Sequence, residues 1–197
     1  MPRFSLLLTG LTLALLSACS LDNLDQSEIP AYTKEWVRET DGQLLRFQNA
    51  AGQVHQVAVT RQEGVGRSGG RFGSADIAYL NVKYQDQTNS ALDFYLNTSI
   101  VELHFSHHEN DSMRAMIYTD KKPGKIVVYS TNTQGLQASP RLLASDTTIG
   151  GQKYKYIAHL RLRPYRQSAD PLTDIYVSRY EGVVAMQTVR GGLWLRQ

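Results

Sequence analysis

The feature that most restricts how this chain can fold is an alternation of apolar and polar side chains between residues 153 and 163. Successive side chains of a β-strand point to opposite faces, so a period of two indicates a strand with one face in a core. The predicted core face consists of Tyr154, Tyr156, Ala158, Leu160 and Leu162. The predicted opposite face is basic and consists of Lys153, Lys155, His159, Arg161 and Arg163. Such a face could bind an anionic ligand, or it could be the solvent face of an edge strand.

The rest of the chain beyond about residue 32 repeats this character. Short segments rich in Val, Tyr and Thr are separated by Gly, Asn, Asp and Pro, and no long amphipathic helical window interrupts them. Besides the residues around 44–47, the predicted strands are 75–85, 91–97, 100–106, 112–119, 125–131, 153–163, 173–180, 182–189 and 193–196. The pattern predicts a mainly β, single antiparallel meander domain, either a barrel or an open half-barrel, with a two-sheet sandwich as the alternative.

Turn residues place several hairpins along this meander. Asp41-Gly42 predicts a type I′ turn between residues 36–38 and 44–47, and residues 49–52 predict a second turn. The segment 120–124 is typical of a turn between two paired strands. A further turn or bulge is expected at Glu181-Gly182, and Trp194 is expected to fill the core or one end of the sheet.

A glycine-rich stretch at residues 64–70 matches two short motifs, GxGxxG and GxSxG. Both motifs require a strand before them and a helix after them, because the helix start binds the phosphate or positions the nucleophile. A strand-like run follows here instead, so neither a dinucleotide site nor a catalytic Ser68 is expected. The sequence favours a loop between two strands.

The N-terminus has the layout of a secretory signal peptide, with Arg3 before an apolar run from Phe4 to Leu16. The run closes with Leu16-Ser17-Ala18-Cys19, which contains the only cysteine of the 197 residues. This segment resembles the lipobox of bacterial lipoproteins. The resemblance implies a signal helix at residues 1–18, a lipidated Cys19 opening a flexible tether at 19–31, and a β-rich domain at 32–197.

Anchoring through Cys19 implies a membrane as the first partner and the bacterial cell envelope as the location. By resemblance to enterobacterial sorting, Ser20 favours the outer membrane. The formal net charge is +3, and removing Arg3 with the signal segment lowers it by one, so nucleic acid is not an expected partner. A lipid, a glycan or another envelope protein remains open as the ligand.

The C-terminal run also resembles the ending of small uncharacterised lipoproteins of Bacteroidota. The run extends over residues 174–187 and then continues as Gly191-Gly192-Leu193-Trp194-Leu195. Val177 stands where that pattern has a second aromatic residue. The resemblance implies no activity.

The densest group of potential metal ligands lies at residues 104–111 and includes His104, His107 and His108. Three such side chains with a water could hold Zn²⁺ in the arrangement of a catalytic site, and no other cofactor is expected. Adjacent histidines in an extended chain point apart, so a solvated turn is the simpler interpretation. The expected function is therefore a non-enzymatic, lipid-anchored binding or structural protein, with a zinc-dependent hydrolase as the alternative.

Overall fold

The computed structural model describes residues 27–70, 73–88, 90–98, 102–106, 115–118, 127–132, 135–138, 144–162 and 169–197. Within them, one short helix, α1 (Ala31–Lys34), precedes thirteen strands. The strands are β1 (Leu44–Asn49), β2 (Val54–Gly70), β3 (Gly73–Asp86), β4 (Phe94–Thr98), β5 (Glu102–Ser106), β6 (Ala115–Tyr118), β7 (Val127–Asn132), β8 (Gly135–Ala138), β9 (Ala144–Ile149), β10 (Gln152–Arg161), β11 (Leu172–Ser178), β12 (Gly182–Thr188) and β13 (Gly192–Arg196). The signal segment, Cys19 and the predicted tether up to residue 26 lie outside the described residues. Ile29 is buried in the core and Ala31 begins α1, so the predicted flexible tether does not extend to residue 31.

All thirteen strands belong to one antiparallel sheet, in the order β8-β7-β6-β5-β4-β3-β2-β1-β13-β12-β11-β10-β9. Each strand pairs with the next one in sequence except β8 with β9, and β1 also pairs with β13, in the register Phe47↔Arg196 to Asn49↔Trp194. The edges of the sheet are β8 and β9, which are consecutive in the chain. No pairing joins them in the described backbone, so the sheet is open, and the predicted mainly β meander is confirmed without closure into a barrel.

The core lies on one face of the sheet, which we call the inner face. Its buried side chains form one continuous cluster that takes members from β1–β5 and from β10–β13. Strand β10 also contacts β6 and β7 across the sheet. The sheet therefore curls so that its two halves share a core, as expected for an open half-barrel.

The segment around α1 packs onto this inner face and fills it. Trp36 and Val37 are buried in the shared core. The guanidinium of Arg61 on β2 donates to the carbonyl of Val37 at 3.2 Å and to that of Glu39 at 2.9 Å. The predicted strand at residues 36–38 is therefore wrong, because these residues follow a helix and pack against the sheet instead of joining it.

A second, smaller cluster lies on the opposite, outer face of β9–β13. It contains Ile149, Tyr154, Ile157, Val184 and Ala185, with Leu193 and Leu195 packed against it. Residues on either side of Trp194 point away from the core, since Trp194 itself belongs to the inner cluster.

A backbone kink at Tyr156 separates the residues of β10 that belong to the two clusters. Tyr156 has a φ of 52°, and the pairing with β9 passes from Lys155↔Asp146 to Ile157↔Ala144 with no change of register. The positive φ interrupts the regular alternation of the strand, so the side chains before and after Tyr156 do not continue one face. Tyr154 thus belongs to the outer cluster and Ala158 to the inner one, so the predicted single apolar face of this strand is wrong.

Strands β2 and β3 form a long hairpin whose register runs from Val57↔Asp86 to Gly70↔Gly73. The glycine-rich stretch at 64–70 lies inside β2, so the predicted loop is wrong there. The Tyr79 ring crosses the strand over Gly64, where a Cβ atom would lie 2.8 Å from the tyrosine hydroxyl. A side chain at residue 64 would therefore displace the Tyr79 ring. Ser68 lies within a strand, so no nucleophile turn surrounds it.

The other predicted turns have mixed outcomes. Gly42, Gly52 and Gly182 all have positive φ, which glycine adopts readily. Asp41 does not have positive φ, so the predicted type I′ turn at Asp41-Gly42, which needs it at both residues, is wrong. Strands β6 and β7 pair antiparallel, which confirms their hairpin, although residues 119–126 between them lie outside the described part. Trp194 is buried in the core, as predicted.

Candidate functional site

A concave site of about 540 Å³ opens where the β11–β12 turn, the start of β10 and the end of β13 meet. Its principal lining residues are Arg38, Gln152, Tyr154, Tyr180, Glu181 and Arg196, and Val184 lies beneath them. We call this the turn pocket. Its members come from four separate parts of the chain, so no local sequence motif marks it.

Two backbone irregularities position the pocket residues. Tyr156 has positive φ, and before this kink Tyr154 lies on the outer face, where its ring packs in the cluster with Val184. Gly182 has a φ of 75° in the turn that presents Tyr180 and Glu181. A Cβ atom at Gly182 would collide with the carboxylate of Glu39, so only glycine fits there.

The floor of the turn pocket is aromatic and apolar. Tyr154 and Val184 are 5 % and 2 % exposed. The Tyr154 hydroxyl donates to Oε1 of Gln152 at 2.5 Å. Tyr180 forms one wall and is 48 % exposed. Its ring stands edge-on to that of Tyr156, with 5.7 Å between the centroids.

Arg196 is held in place from below by backbone and carboxylate oxygens. Its Nη1 donates to the carbonyl of Glu181 at 2.8 Å, to that of Val183 at 3.3 Å and to Oε1 of Glu39 at 3.4 Å. Arg196 therefore connects the turn pocket to a carboxylate inside the protein.

Glu39 is fully buried and tightly bonded. Its Oε1 accepts from the Val183 amide at 2.7 Å, and its Oε2 accepts from the Tyr84 hydroxyl at 3.1 Å. Burial raises the pKa of Glu39, while these hydrogen bonds and the charge of Arg196 act in the opposite direction. The carboxylate holds the turn of β12, the end of β13 and the core of β3 together.

The charges around the turn pocket are balanced. Glu39 lies beside Arg196, and the exposed Glu181 lies on the same rim as the exposed Arg38. Burial raises the pKa of Tyr154, and the negative charge of Glu181 raises it further. The Tyr154 hydroxyl therefore remains neutral and available for hydrogen bonding near neutral pH.

The predicted zinc ligands are not assembled by the described residues. His104 lies on the outer face of β5, opposite Asn97 of β4, and is half-buried. Its neighbours Leu103 and Phe105 are in the core, as expected for alternation. His107 and His108 lie outside the described part, and within that part no group of three His, Cys, Asp or Glu side chains could hold a metal ion.

The kink at Tyr156 also divides the predicted basic face. Lys153 and Lys155 flank Tyr154, which points outward, whereas Arg161 follows Leu160, which points inward. The two lysines and the arginine are exposed, but they do not share one row, and Arg163 lies outside the described residues. The prediction of a continuous basic face is therefore wrong.

Arg161 instead takes part in a cluster on the outer face. His159 Nε2 lies 2.6 Å from Oδ1 of Asp174, and Nε of Arg161 lies 3.5 Å from the same oxygen. The His159 ring stacks on Tyr176 with 4.5 Å between centroids. The two basic side chains of this cluster, His159 and Arg161, are thus already engaged with the Asp174 carboxylate.

A second histidine–aspartate pair lies in the interior. His55 Nδ1 is 2.5 Å from Oδ2 of Asp86, and its ring meets Trp194 edge-on at 4.3 Å. Asp86 also accepts from the Thr88 amide at 2.9 Å. Both side chains are buried, so we assign this pair to the stability of the β2–β3 strands.

No family model, no curated protein and no solved structure matches this chain. Within the described residues, no helix has the length and apolar character needed to cross a membrane. The turn pocket is therefore interpreted from its own side chains.

Proposed function

We propose that this protein is a lipid-anchored component of the bacterial cell envelope, held at the outer membrane, and that its β-domain binds a ligand without catalysing a reaction. The observation that carries the proposal is the sole cysteine at the end of the apolar run, Leu16-Ser17-Ala18-Cys19. The supporting observation is a ligand-sized pocket in the β-domain.

The proposed anchor has a clear physical basis. One acyl chain holds a protein on a membrane only marginally, whereas several chains, each contributing ~0.8 kcal/mol per buried methylene, hold it durably. Bacterial lipoproteins carry several chains on this cysteine. The domain would then remain at the membrane surface while the tether allows its pocket to meet a ligand.

The side chains of the turn pocket favour binding over catalysis. Tyr154 and Arg196 are fixed by hydrogen bonds to neighbouring groups, and the raised pKa of Tyr154 makes its hydroxyl a poor nucleophile. A hydrolytic site needs a nucleophile within reach of a general base. The six principal lining residues include no Ser, Thr, Cys or His.

Fatty-acid labelling tests the anchor directly. A bacterial host expressing the full chain is fed an alkyne-tagged palmitate, and the labelled protein is followed through membrane fractionation. We expect label in the wild type and in the control Ser27→Ala, and none in Cys19→Ala. An unlabelled wild type, or label that survives in Cys19→Ala, would refute the proposal.

Zinc content tests the alternative of a metal-dependent hydrolase at His104, His107 and His108. The protein is purified without a polyhistidine tag and analysed for bound metal. If the protein binds a ligand without catalysis, we expect bound zinc to stay below one ion per protein and to be the same in His104→Ala. One zinc ion per protein that is lost in His104→Ala would favour the hydrolase instead.

A further inference from the structure

We infer that the turn pocket binds an uncharged saccharide residue, through the exposed ring of Tyr180 and a rim of planar polar groups around the Tyr154–Val184 floor. This inference rests on the proposed function, because it names the class of ligand that the anchored β-domain would bind. It concerns the pocket alone and is independent of how the chain is anchored.

The floor and wall suit the apolar side of a sugar ring. One face of a pyranose exposes mainly C–H groups, and such a face packs favourably on an aromatic ring. Tyr180 offers a ring that is about half exposed, and the buried Tyr154 and Val184 form an apolar base beside it. An aromatic surface with a few polar groups above it is the usual composition of a small-ligand site.

The rim supplies planar hydrogen-bonding groups of both kinds. The Arg38 guanidinium donates, the Glu181 carboxylate accepts, and the Gln152 amide does both. Neighbouring hydroxyls of a saccharide can each donate and accept, and a planar side chain can bond two of them at once. A purely apolar ligand would leave these rim groups desolvated without partners, which is costly.

The charge balance selects an uncharged ligand. The Glu39 carboxylate lies beside Arg196 and offsets its positive charge, and Nη1 of Arg196 already donates to Glu39 and to two carbonyls. Arg38 shares the rim with Glu181, whose negative charge would repel a carboxylate or phosphate. A cation would meet Arg38 in the same way. Neither sign of ligand charge is favoured.

The rim arginine is also preorganised at its backbone. Arg38 lies between Val37 and Glu39, both of which are buried. The carbonyls of these two neighbours accept hydrogen bonds from Arg61. A fixed backbone reduces the conformational entropy lost on binding, so the pocket need not reorganise to receive a ring.

Retention on immobilised sugars tests the inference with the full-length protein. The protein is solubilised in a polyoxyethylene detergent, whose headgroup carries no sugar, and applied to agarose bearing glucose, galactose, N-acetylglucosamine or glucuronic acid. We expect retention on at least one of the three neutral sugars and elution by the same free sugar. Retention should persist at about 1 M salt, where exposed charges are screened within ~3 Å.

Matched variants locate the binding in the turn pocket. Tyr180→Ala should weaken retention about tenfold, whereas Tyr180→Phe should retain it, because phenylalanine keeps the aromatic ring and loses only the hydroxyl. Arg38→Gln should weaken retention, and Arg190→Gln, an exposed arginine outside the pocket, should not.

Three results would overturn the inference. One is no retention on any neutral sugar, and another is retention only on glucuronic acid that disappears at high salt. The third is equal retention of Tyr180→Ala and wild type. Each of these leaves palmitate labelling of Cys19 unaffected, so failure of the pocket assignment is distinguishable from failure of the anchor.

Discussion

The buried carboxyl of Glu39 provides the sharpest test of how the fold is held together. Replacing it by alanine leaves the buried Val183 amide and Tyr84 hydroxyl without their acceptor, while Arg196 keeps its two carbonyl acceptors. Each buried donor left without a partner costs ~1–3 kcal/mol. With two such donors, we expect Glu39→Ala to lower the free energy of unfolding by ~2–6 kcal/mol.

Glu39→Gln separates the hydrogen bonds from the charge. The amide keeps one oxygen that can accept from the Val183 amide, and its NH₂ can donate to the Tyr84 hydroxyl. The expected cost at neutral pH is therefore smaller, ~1–2 kcal/mol, close to the net value of one or two hydrogen bonds.

Wild type and Glu39→Gln should also differ in how their free energy of unfolding depends on pH. Burial raises the pKa of Glu39 above its ordinary value of 4.5. The carboxyl group of Glu39 then binds a proton more tightly in the folded state than in the unfolded state. Protonation of Glu39 therefore stabilises the fold, and this stabilisation is complete below pH 4.5 and is lost as the pH rises through the folded pKa. The glutamine variant lacks this titration, so its deficit relative to wild type should shrink from acidic to neutral pH.

Urea unfolding followed by tryptophan fluorescence measures these differences. Trp36 and Trp194 are buried in the same core, so both report its opening. Equal midpoints for Glu39→Ala and wild type would refute the assignment of Glu39 as a structural centre. A deficit of Glu39→Gln that grows with pH would refute the raised pKa.

Three further substitutions test other contacts of the fold. Gly182→Ala should lower the free energy of unfolding in urea by at least ~2 kcal/mol, because its Cβ would collide with the Glu39 carboxylate. Gly42 also has positive φ but has open space around it, so Gly42→Ala should lower the same free energy by only ~1–2 kcal/mol. Asp86→Ala should cost ~3 kcal/mol and alter the fluorescence of the neighbouring Trp194, since it leaves buried donors unpaired; an unchanged urea midpoint would contradict the buried pair. Gly64→Val should increase amide hydrogen exchange across the β2–β3 hairpin by displacing Tyr79, while Gly66→Val, where the ring is 3.6 Å away, should not.

Much of the strand pattern follows from local rules. The segments predicted at 173–180, 182–189 and 193–196 match β11, β12 and β13 within about two residues. Alternation and turn-forming residues act over a few positions, so one sequence is enough to reveal them. The inward position of Trp194 follows from the same alternation.

The features that sequence did not reveal depend on distant partners. The kink at Tyr156 is not marked by a glycine or an asparagine, since a tyrosine occupies the positive-φ position. The long β2–β3 hairpin contains glycines that suggest a loop, and only the facing Tyr79 ring explains them as strand residues.

The turn pocket was beyond prediction for a related reason. Arg38, Tyr154, Tyr180 and Arg196 are far apart in sequence and meet only because β1 pairs with β13 and β10 bends outward. Glu39 carries no local sign of burial either, because a charged residue beside Arg38 is typical of a solvent-exposed loop.

The pairing of β1 with β13 also governs how the chain can fold. On each side of this seam, β1–β8 and β9–β13 are meanders whose strands meet neighbours close in sequence, so each can assemble from local contacts. The seam joins residues almost the whole domain apart through the three register pairs from Phe47↔Arg196 to Asn49↔Trp194. Contacts between distant residues cost the most loop-closure entropy and slow folding. Docking of two preformed half-sheets at this seam, which also completes the turn pocket, is therefore the step expected to limit the folding rate.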